Sequence, residues 1–347
     1  MSGKLRIIRL GQDNRGMALL LVISIISLLT VVIIQFSRSM QFSLVESSRY
    51  QERMVLESIA QSGLDIGAAV LRADRALNNY DTLQDSWALL KEGPLVTPFS
   101  QGEVQLTITD LDGRFPINRL VTVAREGQNP GSANAEGLSP EQARLVLLRL
   151  LVNGPFGIET EMQALEIVDS IVDWIDTNDE ELPYGAESSY YESLEKPYRA
   201  RNGLLEFVDE LLLIRGITAE LLYGTDETSG LADYINVSKG DGKININTAA
   251  LPVLQALDDR IGPEDAENIE AYRIEETSYD KLANSSWYLD VDGWPGDIVI
   301  DNKVLTTKGS YFLVTAEARH REGSMKMSTV VKRTGEDKLE FVYLKMD

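Results

Sequence analysis

The sequence predicts an α+β protein, with one long N-terminal α-helix packed on a small antiparallel sheet and a large all-α insertion dividing that sheet. Three observations carry this expectation. The uncharged run Met17–Ile34 (MALLLVISIISLLTVVII) continues without a proline into an amphipathic stretch that reaches Tyr80. A half-buried strand pattern, Glu103–Thr109, finds comparable strands only at Tyr311–His320, Ser324–Arg333 and Lys338–Lys345. Between them lies a region of helical periodicity too long for a loop of a compact domain, so it must fold by itself.

The N-terminal run comes first. Eighteen uncharged residues, at about 1.5 Å each, just span the hydrocarbon core of a bilayer. The first proline of the chain is Pro94, so nothing forces the helix to stop at the membrane surface. Lys4, Arg6, Arg9 and Arg15 precede the run and few cations follow it, which predicts a cytoplasmic N-terminus and an exported body. A cleaved secretory signal fits poorly, because its apolar region is about 7–15 residues long and Ser37-Arg38-Ser39 makes a weak cleavage site.

Beyond the membrane, Val55, Ile59, Gly63, Ile66, Val70, Ala73 and Leu77 recur at spacings of three and four. Arg49, Glu52, Arg53, Glu57, Arg72 and Asp74 supply a charged outer surface. As one helix, Met17 to Tyr80 would be roughly 95 Å long. Gly63 and Gly67 weaken it by about 1 kcal/mol each relative to alanine unless another element packs closely there. The seam suits either a solvated stem or a helix lying on a sheet, and the later strands favour the sheet.

Composition narrows the chemistry. The 347-residue chain carries a net charge of −21, and because its leader is basic, the body is more acidic still. Such a body repels phosphate backbones and anionic membrane surfaces and suits divalent cations or basic partners. The same acidity would also simply keep an exported protein soluble. The absence of cysteine excludes disulfides and thiolate chemistry. The single histidine, His320, lies on an alternating strand and reads as an exposed strand residue, so a Ser-His-Asp triad or a His-rich zinc site lacks material.

Helices are expected in the insertion at Ser139–Val152, where Ser-Pro-Glu-Gln supplies cap and first turn, and at Thr160–Ile175. Others follow at Leu204–Ile214, Thr218–Tyr223, Ala249–Leu257 and Pro263–Ile274. Asp173, Asp176, Asn178, Asp179, Glu180, Glu181 and Glu187 concentrate oxygen ligands in a short span. Asp169, Asp173 and Asp176 share one helix face, and Pro183, Gly185 and Ala186 let the chain turn back to bring Glu187 close. A hard cation such as calcium takes six to eight oxygens. The stretch is not read as an EF-hand. The candidate ligands are Asp176, Asp179 and Glu187, with Asp173 next. A solvated acidic loop with capping aspartates is the other reading of the same residues.

A second acidic group, Asp290, Asp292 and Asp297, reads as a turn-rich loop packed by Trp287 and Trp294. Leu211–Thr218 and Ile244–Leu257 resemble helix-hairpin-helix modules, whose helix N-termini bind DNA phosphates. The acidic turn at 258–265 and the charge of the body argue against nucleic acid. Packing units are expected instead, with Asn245, Asn247 and Thr248 tying a strand end to the following helix.

A leader ending in Arg15-Gly16, followed at once by the apolar run, resembles the prepilin signature of type IV pilins and pseudopilins. The resemblance implies that a prepilin peptidase cuts after Gly16 and methylates Met17. It also exposes a departure: the family's fifth mature residue is glutamate, and here it is Leu21. With DWIDTNDEELPYGAESSYYESLEKPYRARNG (Asp173–Gly203), LLEFVDELLLIRGIT (Leu204–Thr218) and GKININTAALPVLQAL (Gly242–Leu257), nearly the whole chain resembles the minor pseudopilin K family of type II secretion systems.

That resemblance implies a pseudopilin fold with leader 1–16, transmembrane helix 17–36, periplasmic helix and first strand 37–117, helical insert 118–285 and completing strands 286–347. It further implies calcium in the insert, and a non-enzymatic protein of the inner membrane with a periplasmic body that sits at the pseudopilus tip and primes assembly. The implied partners are minor pseudopilins I and J and other pseudopilins. A tip minor pilin of a type IV pilus, or a membrane-anchored periplasmic enzyme using the acidic loop, are the competing readings.

Overall fold

A computed structural model describes residues 15–92, 102–122, 136–335 and 338–346. Arg15–Leu77 forms one helix, α1. Residues 16–51 are exposed, and the apolar run within them has a mean hydropathy of 3.1 with none of it buried. The leader before Arg15, and Pro94, lie outside the described residues.

The last turns of α1 lie across a four-stranded antiparallel sheet of β1 (Glu103–Asp110), β2 (Tyr311–His320), β3 (Gly323–Arg333) and β4 (Leu339–Met346), in that spatial order. Strict alternation sets which face is covered. Val104, Leu106 and Ile108 from β1 and Phe312, Val314, Ala316 and Ala318 from β2 all point at the helix and are buried. Leu56, Ile59, Ala60, Leu64 and Leu71 meet them from α1. Each such leucine or isoleucine contributes about 1.5–3 kcal/mol by leaving water.

This seam is turned relative to the one read from the sequence. Val55, Ile66 and Val70 flank it, and Ala73 and Leu77 face solvent, Leu77 being 82% exposed. The turn follows from the closest approach, which lies along small residues. A Cβ on Gly63 would sit 2.8 Å from Val104 Cγ2, and one on Gly67 would sit 2.6 Å from Val314 Cγ1. The two glycines therefore let the rod settle onto the sheet. Asp74, expected on the outer surface, is buried against Arg333 for the same reason.

The β2–β3 hairpin turns at Arg321-Glu322, with Arg321 at a left-handed φ of 54°. His320 corrects another expectation: it is 8% exposed, because it continues the helix-facing period of Phe312, Val314, Ala316 and Ala318.

The chain leaves the sheet after Asp110 and returns at Tyr311, and these positions are neighbours, since Asp110 pairs with Phe312. The intervening insert has its own core, in which α2 (Pro140–Asn153), α3 (Glu161–Ile175), α4 (Leu251–Ala256) and α5 (Pro263–Ile274) pack together. Capping explains the two N-termini best marked in the sequence: Ser139 with Gln142, and Thr160 with Gln163, form reciprocal caps. The helix expected at Leu204–Ile214 is only a 3₁₀ segment, Val208–Leu213. Asn118 holds Leu205 outside the helix by accepting from its N–H at 2.9 Å and donating to its C=O at 3.0 Å.

Filling the rod–sheet contact should be costly. Gly67→Val is expected to lower stability by about 1–3 kcal/mol through overpacking against Val314, read by urea unfolding in detergent. Gly16→Ala, where nothing lies nearby, should leave the midpoint within error.

Candidate functional site

Two groups of carboxylates converge in the molecule. The first grows from the C-terminal end of α3. Asp173 sits in the last turn, buried, and both its oxygens lie within reach of Leu182 N–H, at 3.3 and 3.2 Å. Asp176 closes the helix as its C-cap and accepts from Asn178 N–H at 3.1 Å. The chain turns at Leu182–Gly185, where Gly185 N–H donates to Leu182 C=O at 3.0 Å. Gly185 is required there, because a Cβ would overlap Asp173 Oδ2. That turn delivers Glu187, which caps the short helix Ser188–Glu192.

One oxygen from each of Asp173, Asp176 and Glu187 lies within 4.8 Å of the others. Glu187 Oε2 accepts from Ser188 N–H at 3.3 Å, while its Oε1 is buried with no hydrogen-bond partner. Burial, and then the charges of Asp173 and Asp176, push Glu187 up to about 7. Asp173 is pushed up to about 6, chiefly by burial. Asp176 is raised by burial too. Three desolvated like charges aimed at one point are costly unless a proton or a cation joins them. An orphaned carboxylate oxygen beside an all-oxygen donor set fits a hard divalent cation such as calcium.

The other sequence candidates fall elsewhere. Asp179 is outside this group, and its Oδ1 accepts from Asn202 Nδ2 at 3.0 Å. Asp169, one turn before Asp173, pairs with Arg144 and accepts from Tyr184 N–H at 3.3 Å. Asp297 pairs with Arg260 at 3.1 Å, and Asp290 and Asp292 join no convergent group among the described residues. Trp287 is buried and donates from Nε1 to Asn247 Oδ1 at 2.7 Å. Gly16, Met17 and Leu21 lie on the exposed start of α1, with Leu21 59% exposed.

The second group was not foreseen. Asp74, Asp81 and Asp85 meet just beyond the end of α1. Arg333, at the end of β3, reaches Asp74 Oδ2 and the Leu71 carbonyl at 3.1 Å each and pairs directly with Asp81. Asp85 accepts from the Tyr279 hydroxyl at 2.8 Å and from Thr82 N–H at 2.6 Å. These carboxylates are thus committed to protein donors. Asp74 and Arg72 look alike in the sequence, and only the facing arginine of a distant strand distinguishes them.

This group is the joint between rod, sheet and insert. Asp81 Oδ2 accepts from Gly309 N–H at 2.8 Å, and its carbonyl accepts from Asn247 Nδ2 at 3.2 Å. Asn245 Nδ2 and Thr248 Oγ1 donate to buried Asp110 Oδ2, at 2.7 and 2.8 Å. Gln84 Nε2 donates to the carbonyls of Arg273 and Glu275, both at 2.9 Å. Asn245, Asn247 and Thr248 therefore do more than the expected local tie. They bind the insert to Asp81, just beyond the rod, and to Asp110 at the end of β1.

Similarity to known proteins accords with this layout. Residues 113–224 and 244–287 match two family descriptions, both reading type II secretion system (T2SS), protein K. A type II secretion system protein K from Aeromonas hydrophila is 27% identical over 93% of this chain and 94% of its own. This chain is thus similar to type II secretion system protein K over nearly its whole length. A Pseudomonas aeruginosa member is 29% identical over 75% of this chain and 72% of its own. The crystal structure of the GspK-GspI-GspJ complex from enterotoxigenic Escherichia coli shares the fold, with a TM-score of 0.62 at 18% identity, covering 86% of this chain and 98% of that one. By that similarity the molecule is a minor pseudopilin of the type II secretion system.

The joint carries a pH signature. Burial pushes Asp74 up to about 7, with Asp85 and Asp81 adding and Arg333 opposing, and burial raises Asp81 and lifts Asp110 to about 6. Folded carboxylates with raised pKa values hold protons that the unfolded chain has released, so their contribution favours folding at low pH and is lost as pH climbs through 6 to 7. At fixed calcium, the melting temperature is expected to fall between pH 5 and 8. Asp74→Asn should flatten that slope, and an unaltered slope would refute this account of the joint.

Proposed function

We propose that this minor pseudopilin caps the tip of the type II secretion pseudopilus and primes its assembly, acting by packing rather than by catalysis. The observation that carries the reading is the position of the insert: residues 111–310 are fastened to the far end of the rod through Asp81, Asn247 and Gln84. A further subunit stacking above would meet that mass, so growth would proceed from below.

The rod supports the same reading. Its exposed apolar run suits an inner-membrane anchor first and a packing surface for sister helices later. The peptidase cut after Gly16 and methylation of Met17 would leave Leu21 where other pseudopilins carry a glutamate. A carboxylate in the bilayer needs a partner to persist, and Leu21 neither needs nor offers one, which suits a terminal subunit. The basic leader favours a cytoplasmic N-terminus, and on this reading the body lies in the periplasm. The partners of the reading are minor pseudopilins I and J, named with the structurally similar protein of Escherichia coli.

Asp173, Asp176 and Glu187 would hold calcium. The ion would supply the positive charge the cluster lacks and clamp the end of α3 to the 182–187 turn. At a calcium concentration a hundredfold above Kd, binding to the folded state alone stabilises it by ~2.7 kcal/mol. Wild-type protein should therefore melt several degrees higher with calcium than with chelator, and Glu187→Gln or Asp176→Ala should abolish most of the difference. An unchanged shift in both variants would remove the assignment.

Intact mass tests the processing. Protein from cells with prepilin peptidase should lack residues 1–16 and carry one added methyl group, and protein from cells without it should retain both the leader and an unmodified Met17. A chain beginning at Met1 in peptidase-containing cells would overturn the pseudopilin assembly reading.

A further inference from the structure

A groove of about 470 Å3 lies between the outer face of the sheet, turned away from α1, and the insert. Leu313, Val330 and Val342 form one wall, and Phe207, Ile235 and Val237 the other. Into this apolar space projects Arg114. Its Nη1 donates to the Ala232 carbonyl at 2.8 Å, and it forms no ion pair among the described residues. Burial depresses its pKa, while Asp233 and Asp110 oppose this from a distance. A guanidinium offers five donors suited to bidentate carboxylate binding, and holding one half-desolvated beside apolar walls is unfavourable until an anion arrives.

The neighbouring charges agree. Lys239 and Lys332 line the same groove, with Lys332 over the Tyr311 ring at 5.5 Å. Glu206 also lines it but is engaged by Arg201 at 3.0 Å, and Glu340 lies opposite Lys332. In a chain of net charge −21, this is a local basic, apolar surface.

The groove opens onto β4, the edge strand, whose outer side pairs with no further strand among the described residues. Phe341, Leu344 and Met346 pair with Val331, Thr329 and Met327, so they point to the α1 side of the sheet, yet they are 47–49% exposed. Their strip continues the rod–sheet core, since Met327 and Val331 belong to it. An open, apolar edge strand is a template for another chain. Whatever covers it lies beside the sheet and the rod, where a laterally packed sister subunit would lie.

We propose that an extended segment of a sister pseudopilin, bearing a carboxylate next to a large apolar side chain, runs along the free edge of β4 and places that carboxylate on Arg114. This rests on the tip-subunit reading above and deepens it by naming the docking face. Tyr343, which lines the same groove and packs on Phe207 at 5.9 Å between ring centres, would flank the incoming carboxylate.

The test uses the full chain in detergent with purified minor pseudopilins I and J. Arg114→Gln is expected to weaken their association at least tenfold, and Arg114→Lys less. Val342→Glu, which puts a competing carboxylate in the groove of this chain, should weaken it similarly, with the calcium-dependent melting shift retained in all three. A photocrosslinker at Phe207 should capture a stretch of a sister subunit with Asp, Glu or its C-terminus within three residues. Association within twofold of wild type in both Arg114→Gln and Val342→Glu would overturn the proposal, as would crosslinks only to an exported protein or to a stretch without a carboxylate. If the wild-type chain fails to associate at all, the tip-subunit reading falls, and this proposal with it. That outcome is distinct from selective insensitivity of the variants.

Discussion

Everything that positions the insert depends on one buried cation holding two carboxylates. Arg333 leaves the end of β3 and binds Asp74 on the last turns of α1 and Asp81 just beyond it. The rod would otherwise end in free carbonyls, and Arg333 also takes up that of Leu71. Asp81 in turn receives a backbone N–H from the return to the sheet and offers its carbonyl to Asn247 of the insert. Rod, sheet and insert therefore meet at a single polar knot. Such a knot is costly to desolvate, and removing one member strands the others, so it acts more as an orientation device than as a source of net stability.

The acidic cluster of the insert obeys the opposite arithmetic. Around Asp74 and Asp81 the protein supplies its own counter-charge; around Asp173, Asp176 and Glu187 no described residue forms an ion pair, and one Glu187 oxygen is left without a donor. The two groups share residue type and burial but differ in what completes them. One is a finished internal contact. The other has the donor set of a cation site, and on the proposed reading its stability would follow the supply of that cation.

Much of this was legible in the chain. β1 and β2 could be read because alternation on their buried face is regular, and α5 because Pro263 opens it and the pattern ends at Ile274. The cation candidates Asp173, Asp176 and Glu187 could be read because they lie within one helical turn and one tight loop. Asp179 could not be set apart from them, since its removal depends on Asn202, which a distant turn brings in. The seam of α1 was misphased because bulky Val55 and Val70 dominate a hydropathy pattern, whereas Gly63 and Gly67 determine where two backbones can touch. The non-helical stretch at Leu205 depends on Asn118, and nothing local marks it.

The insert departs and rejoins on facing positions of adjacent antiparallel strands, Asp110 and Phe312. Chains so paired run only about 5 Å apart, so any self-folding unit whose termini lie that close could be spliced in without altering the register of the sheet. The head of such a subunit can therefore vary on a fixed shaft so long as it still meets the knot at Asp81. Its size and surface can diverge among secretion machines while the part that must lock into a fibre stays under constant geometric constraint.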